Sequence, residues 1–80
     1  MHNHLCPVGT RIQTYLLARP AFSLVTARAW ARHKGLPKIH PTPGYFRVRV
    51  ASPESFRKGS FRTITLSEDG TVRAVVGCPA

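Results

Sequence analysis

The chain has 80 residues. This length is enough for one domain with a thin core, because so short a chain buries only about 60% of the surface that its unfolded form exposes. Hydrophobic residues make up 42% of the sequence, which excludes a disordered basic tail and predicts a single domain over residues 1–80. Twelve Lys and Arg against three Asp and Glu give a formal net charge of +9, which favours a polyanionic partner.

The amino-terminal part of the chain predicts an arm followed by helices. Residues 1–9 are polar and contain both a proline and a glycine, so we expect an extended arm there. Residues 10–35 are predicted to be helical. In the first helix, which a proline ends, Ile12, Tyr15 and Leu16 are spaced to share one face.

The second predicted helix has the clearest local signals. Ser23 is a good N-cap, residues 24–34 favour helix, and Gly35 predicts the end of the helix. Arg28 and Arg32 are one turn apart and lie on a common face. The sequence therefore predicts a helix that is amphipathic in charge as well as in hydrophobicity.

The run TARAWARHKGLP, residues 26–37, resembles the first helix and turn of the helix-turn-helix family, with an alanine four residues before a glycine. The resemblance ends where a recognition helix should follow, because the three prolines of segment 36–44 forbid a regular helix. That segment is predicted to be a Pro-rich linker. The alternative is an amphipathic helix with a glycine cap. Without a recognition helix, the resemblance still implies a winged arrangement in which Arg47 and Arg49 contact phosphate.

Residues 45–78 are predicted to be rich in β-structure, because the hydrophobic period changes there from helical to two. Phe46 and Val48 alternate with Arg47 and Arg49. This pattern is typical of a half-buried strand whose arginines lie on its open face.

Three further elements are expected after that strand. A capped helical turn begins at residues 52–54, and two more strands cover 61–66 and 71–76. Residues 67–70 form a turn whose glycine allows an antiparallel hairpin. Together the elements predict an α+β fold in which two amino-terminal helices pack on a small, mostly antiparallel three-stranded sheet.

A second resemblance covers residues 46–78. The run FRVRVASPESFRKGSFRTITLSEDGTVRAVVGC is similar to a segment of small uncharacterised proteins of bacteriophages and related mobile elements. Its marked positions here are Arg57, Arg62 and Gly77. The resemblance implies a phage-associated accessory protein and no particular activity, and it leaves open whether the chain is a module of a longer protein.

The basic residues predict the binding site. Arginine outnumbers lysine nine to three, and its planar guanidinium suits bidentate phosphate contacts. We therefore expect phosphate contacts to DNA or RNA, with Lys58 on the same surface and Tyr45 and Phe61 available for base stacking. The predicted contact residues are Arg28, Arg32, Lys34, Arg47, Arg49, Arg57, Arg62 and Arg73.

Other functions remain open from the sequence. The main alternative is a protein–protein interaction module, such as a phage-encoded inhibitor or a virion component, that docks on an acidic protein surface. Another is an RNA-rich assembly subunit that resembles a small ribosomal protein. We predict no enzyme and no cofactor, because three carboxylates in turn positions supply general acid–base catalysis poorly.

The two cysteines, Cys6 and Cys78, are expected to be free thiols, because no signal peptide is visible and a cytoplasmic or virion location is favoured. The acid-free amino terminus also resembles a mitochondrial transit peptide. No apolar run is long enough for a membrane span. A disulfide worth about 4 kcal/mol is one alternative. A zinc site with His2 and His4 is another, although the H-x-H-x-C spacing suits zinc poorly.

Overall fold

In a computed structural model, the chain is described at Cys6, over residues 9–36 and over residues 38–80. These residues form one antiparallel sheet of five strands, in the order β2-β3-β1-β5-β4, with one α-helix against one of its faces. The elements are β1 (Arg11–Ala18), α1 (Leu24–His33), β2 (Ile39–Pro41), β3 (Tyr45–Arg49), a short 3-10 turn (Pro53–Ser55), β4 (Arg62–Thr65) and β5 (Val72–Gly77).

The predicted arrangement of two helices on a three-stranded sheet is wrong, because the first predicted helix is β1, the central strand. The register of β1 against β5 shifts between Ile12 and Thr14, which marks a β-bulge. The bulge inserts one extra residue, so Ile12 and Tyr15 face the same side of the sheet although they are three residues apart. A spacing of three imitates the helical period, and this explains the error.

Buried polar groups hold the bulge in place. The backbone carbonyl of Gln13 accepts hydrogen bonds from the backbone N–H groups of Val50 and Ala51. The side-chain Nε2 of Gln13 donates to the backbone carbonyl of Ala51 at 2.8 Å. The Thr14 hydroxyl donates to Oε1 of Gln13 at 2.6 Å. Because Gln13 and Thr14 are only 3% and 0% exposed, these bonds satisfy polar groups that water cannot reach.

The predicted Pro-rich linker contains β2, which is a second correction. Ile39–Pro41 pairs with β3 and forms an edge of the sheet. Pro41 is compatible with this position, because an edge strand has one side that needs no hydrogen-bond donor. After Gly35 the chain therefore enters a strand, and the residues that the structure describes contain no recognition helix at this point.

The second predicted helix is confirmed as α1. At its start, the backbone N–H of Thr26 donates to the Ser23 hydroxyl at 3.2 Å, and the Ser23 N–H donates to the Thr26 hydroxyl at 2.8 Å. This reciprocal pair is a capping box. At its end, Gly35 has a φ of +74°, and the N–H of Leu36 donates to the Ala31 carbonyl at 2.9 Å. This is the Schellman geometry that favours glycine.

The three strands predicted beyond residue 45 are confirmed as β3, β4 and β5. β4 and β5 form the predicted antiparallel hairpin. In its turn the Asp69 carboxylate accepts bonds from the hydroxyl of Ser67 and from the backbone N–H and hydroxyl of Thr71. These bonds, the Ser67 hydroxyl first, lower the pKa of Asp69 to about 2.

The core lies between α1 and the strands β1 and β3. Leu17, Phe46 and Val48 are buried beneath the helix, and Ala27 and Ala31 of the helix pack against them. Small side chains on the buried side of α1 allow the helix to approach the sheet closely. The opposite face of these strands is not covered by α1.

Cys6 and Cys78 form a disulfide, with an S–S distance of 2.15 Å and a Cα–Cα distance of 5.5 Å. The expectation of free thiols is therefore wrong, and neither sulfur is available as a zinc ligand. The other residues of the alternative zinc site, His2 and His4, lie outside the described residues, as does most of the predicted arm over residues 1–9.

Two further observations concern the described part of the chain. None of its helices combines the length and the apolar character that a bilayer span requires. Residues 6, 9–36 and 38–80 contain no group of three or more His, Cys, Asp or Glu side chains that could hold a metal ion.

Candidate nucleic-acid interface

The side chains of β3 divide between the two faces of the sheet. Phe46 and Val48 are buried under α1, so Arg47 and Arg49 lie on the opposite face, since successive side chains of a strand alternate. We call this surface the open face. Cross-strand pairing assigns to it Thr14, Leu16, His40, Tyr45, Arg47, Arg49, Thr63, Thr65, Arg73 and Val75.

Arginines from two strands flank the centre of the open face. Arg47 of β3 and Arg73 of β5 both pair with Leu16 of β1, from opposite sides. Neighbouring strands are separated by about 4.8 Å, so the two arginines start about 10 Å apart. Arg49 is two residues along β3 from Arg47, which adds a third guanidinium about 7 Å away. His40 pairs with Arg47 on the outer side.

A small cleft lies among these side chains. It has a volume of about 170 Å³ and is lined by Thr14, His40, Thr42, Arg47 and Arg49. Thr14 is fully buried and forms the floor of the cleft. The Thr42 hydroxyl donates to the Tyr45 carbonyl at 2.6 Å, so it is engaged within the protein. The donors left for a ligand are the two guanidiniums and the imidazole, which together suit an anion.

Glu54, in the 3-10 turn, is an exposed carboxylate that senses the charge of Arg49. The pKa of Glu54 is lowered chiefly by a hydrogen bond from the Ser52 hydroxyl, and Arg49 contributes a weaker Coulomb attraction. The other two acids, Glu68 and Asp69, are in the turn between β4 and β5.

An aromatic cluster covers one end of the open face. The rings of Phe56 and Phe61 lie 5.5 Å apart, measured between centroids, and both approach the Cα of Gly77 at the end of β5. A larger side chain at position 77 would meet these rings. Phe56 is buried there, whereas Phe61 is 39% exposed, so both Phe61 and Tyr45, the two rings predicted to stack on bases, reach solvent.

The eight predicted contact residues do not form one surface. Arg47, Arg49 and Arg73 meet on the open face, whereas Arg62 pairs with Val76 and lies on the face against which α1 packs. Arg57 is in the loop after the 3-10 turn, together with Lys58. The remaining three are on α1 or at its C-cap: Arg28, Arg32 and Lys34.

His40 and Thr42 were not among the predicted contacts. Both are in the segment predicted to be a linker, where prolines masked the short alternation of β2. Only the pairing of β2 with β3 brings His40 beside Arg47. The residues directly before and after His40 give no sequence signal that predicts its position beside Arg47.

A second, larger cavity lies between α1 and β2. Its volume is about 740 Å³, and His40 lines both this cavity and the small cleft. We call it the α1–β2 groove. It is lined by Leu24, Arg28, Ala31, Arg32, Gly35, Leu36, Lys38, Ile39, His40 and Pro41.

The suggested likeness of residues 46–78 to phage proteins stays a prediction, because the comparisons supply no relative that bears on it. No family model, no curated protein and no solved structure matches this chain.

Proposed function

We propose that this protein binds nucleic acid through the open face, by contacts to phosphates. The observation that carries the proposal is the small cleft, in which Arg47, Arg49 and His40 present hydrogen-bond donors to a space that suits an anion. Phosphate oxygens are strong acceptors, and guanidinium groups bind them bidentately. The formal net charge of +9 adds a long-range attraction for a polyanion.

The row of arginines extends this contact beyond one phosphate. Arg73 lies across Leu16 from Arg47, so a nucleic-acid backbone that crosses β1 would meet both side chains. Tyr45 is 37% exposed on the same face and offers a ring on which a base can stack. Contacts to phosphate and stacking on one ring carry little sequence information, so we expect binding with weak sequence preference.

The experiment is a salt titration with matched variants. Fluorescence anisotropy would measure the binding of a labelled oligo-dT of about 15 nucleotides, a length that covers a typical binding site for single-stranded nucleic acid. A labelled duplex would be titrated in parallel. The double variant R47Q/R73Q removes two charges from the open face. Its control, R28Q/R32Q, removes two charges from α1. Both pairs are on exposed or half-buried positions, and thermal unfolding would verify that each variant is folded.

The expected result is a change in the dependence of affinity on salt. On a single strand, the slope of log K against log salt should fall by about 0.7 for each phosphate that the variant no longer neutralises, so by about 1.4 for R47Q/R73Q. R28Q/R32Q should retain nearly the full slope. Equal weakening in both variants would show general Coulomb attraction without a site, and absence of binding at low salt would contradict the proposal outright.

A further inference from the structure

The α1–β2 groove has an apolar floor. Leu36 and Ile39 are half-buried and also pack against the core, and Leu24 at the start of α1 is 39% exposed. Ala31 and Pro41 complete the floor. Its volume of about 740 Å³ is within the range of binding pockets. A partner that covers the apolar floor removes it from water, which favours binding.

Cations border this floor on both sides. Arg28 and Arg32 are exposed on α1, and Lys38 is exposed beside β2. Among the described lining residues there is no carboxylate and no Phe, Tyr or Trp. An apolar floor between cations favours aliphatic side chains flanked by acidic ones, whereas a nucleobase would find no aromatic ring to stack on.

The geometry of β2 argues against a partner that adds a strand to the sheet. β2 has only three residues, and Pro41 has no N–H to donate. Short edge strands that contain proline resist strand addition. Polyproline segments dock on grooves lined by aromatic rings, whereas a helix can lay its apolar side in a groove with an aliphatic floor such as this one. α1 has ten residues and is about 15 Å long, so a partner helix of similar length would match it.

We propose that the α1–β2 groove binds an acidic amphipathic helix of a protein partner. The apolar side of that helix lies on the floor that Leu24, Leu36 and Ile39 form. The Asp and Glu side chains of the partner helix flank its apolar side. On one border of the groove they pair with Arg28 and Arg32, and on the other border they pair with Lys38. The proposal does not rest on nucleic-acid binding, because the groove shares only His40 with the small cleft.

The probe is a synthetic peptide of about twelve residues, with leucines at helical i, i+4 spacing and glutamate at the other positions. Titration into isotope-labelled protein should shift amide resonances of residues 24–41 and leave those of β4 and β5 unchanged. A peptide with lysine in place of glutamate serves as the charge control and should not bind.

Two variants test the floor and its border separately. L24D places a carboxylate in the floor, and it should also favour α1, whose first turn has no acidic residue and is complemented by negative charge. R28E/R32E reverses the border, with R57E/K58E as the control of equal charge change in an exposed loop. We expect L24D and R28E/R32E each to weaken peptide binding by about tenfold or more, as substitution of a central residue does at interfaces.

The control R57E/K58E should retain peptide binding apart from a small long-range effect that salt screens. The groove proposal would be overturned if L24D and R28E/R32E bound the peptide like the unaltered protein, or if R57E/K58E weakened binding as much. It would also be overturned if oligo-dT, and not the peptide, shifted the amides of the groove. R47Q/R73Q should leave peptide binding intact, so the two proposals can fail independently.

Discussion

The disulfide between Cys6 and Cys78 leads to a strong prediction about stability. The two residues are separated by 72 positions, so the bond closes nearly the whole chain into a loop. In the chain-entropy model, closing a loop of this length lowers the entropy of the unfolded chain by about 15 cal/mol/K, which is worth about 4 kcal/mol at 25 °C. The free energy of unfolding of an 80-residue domain is only about 4–12 kcal/mol. Reduction should therefore remove a large share of it.

The assay is urea unfolding followed by the fluorescence of Trp30, the single tryptophan, with and without a phosphine reductant. C6A is the preferred variant, because Cys6 is half-buried whereas Cys78 is buried in the fold. We expect reduced protein and C6A to unfold at similar, much lower urea concentrations, and C6A to show no response to reductant. The reasoning would be refuted if reduction left the unfolding midpoint of the unaltered protein unchanged while thiol alkylation showed that the bond had been broken.

Two further predictions concern packing and pH. G77A should destabilise the fold by about 1–3 kcal/mol in urea unfolding, because the new Cβ would lie 3.0 Å from ring carbons of both Phe56 and Phe61. G44A is the control, since a Cβ there meets nothing within 4 Å, and an equally large destabilisation in G44A would contradict the packing argument. The turn bonds lower the pKa of Asp69 from its ordinary 3.8 to about 2, so the carboxylate stabilises the folded state above pH 3.8 and this contribution is lost as the pH falls towards 2. D69N should have a lower free energy of unfolding than the unaltered protein at neutral pH, and this difference should vanish below pH 2. A difference in unfolding free energy that stays constant with pH would contradict the role given to the Asp69 carboxylate.

Elements with local signals were predictable from the sequence. The capping box of Ser23 and Thr26 sets the start of α1, and the left-handed Gly35 sets its end. The alternation in β3 and the turn of the β4–β5 hairpin are equally local. Each depends on backbone and side-chain preferences within about one turn of helix or one hairpin, which the residue types reveal directly.

The candidate site was predictable only in part. The alternation predicts that Arg47 and Arg49 share a face, and it does so without knowledge of neighbouring strands. Nothing local predicts that Arg73 joins them, because Leu16 of β1 lies between the two strands and β1 itself has a helix-like spacing. The bulge next to Thr14 is held by contacts with residues 50 and 51, which are distant in the chain.

The amino-acid sequence by itself determines the strong positive charge, the limits of α1 and the existence of three of the five strands. Only the tertiary structure decided that β1 is central, that β2 is an edge strand and that Cys6 meets Cys78. It also decided that the predicted contact arginines do not share one surface: some lie on the open face, some line the α1–β2 groove, and Arg57 and Arg62 lie on neither. The physical reason is that these features are pairings between residues far apart in the chain. Closing the long loops between them costs conformational entropy, and this cost is offset only when the sheet and its core form together.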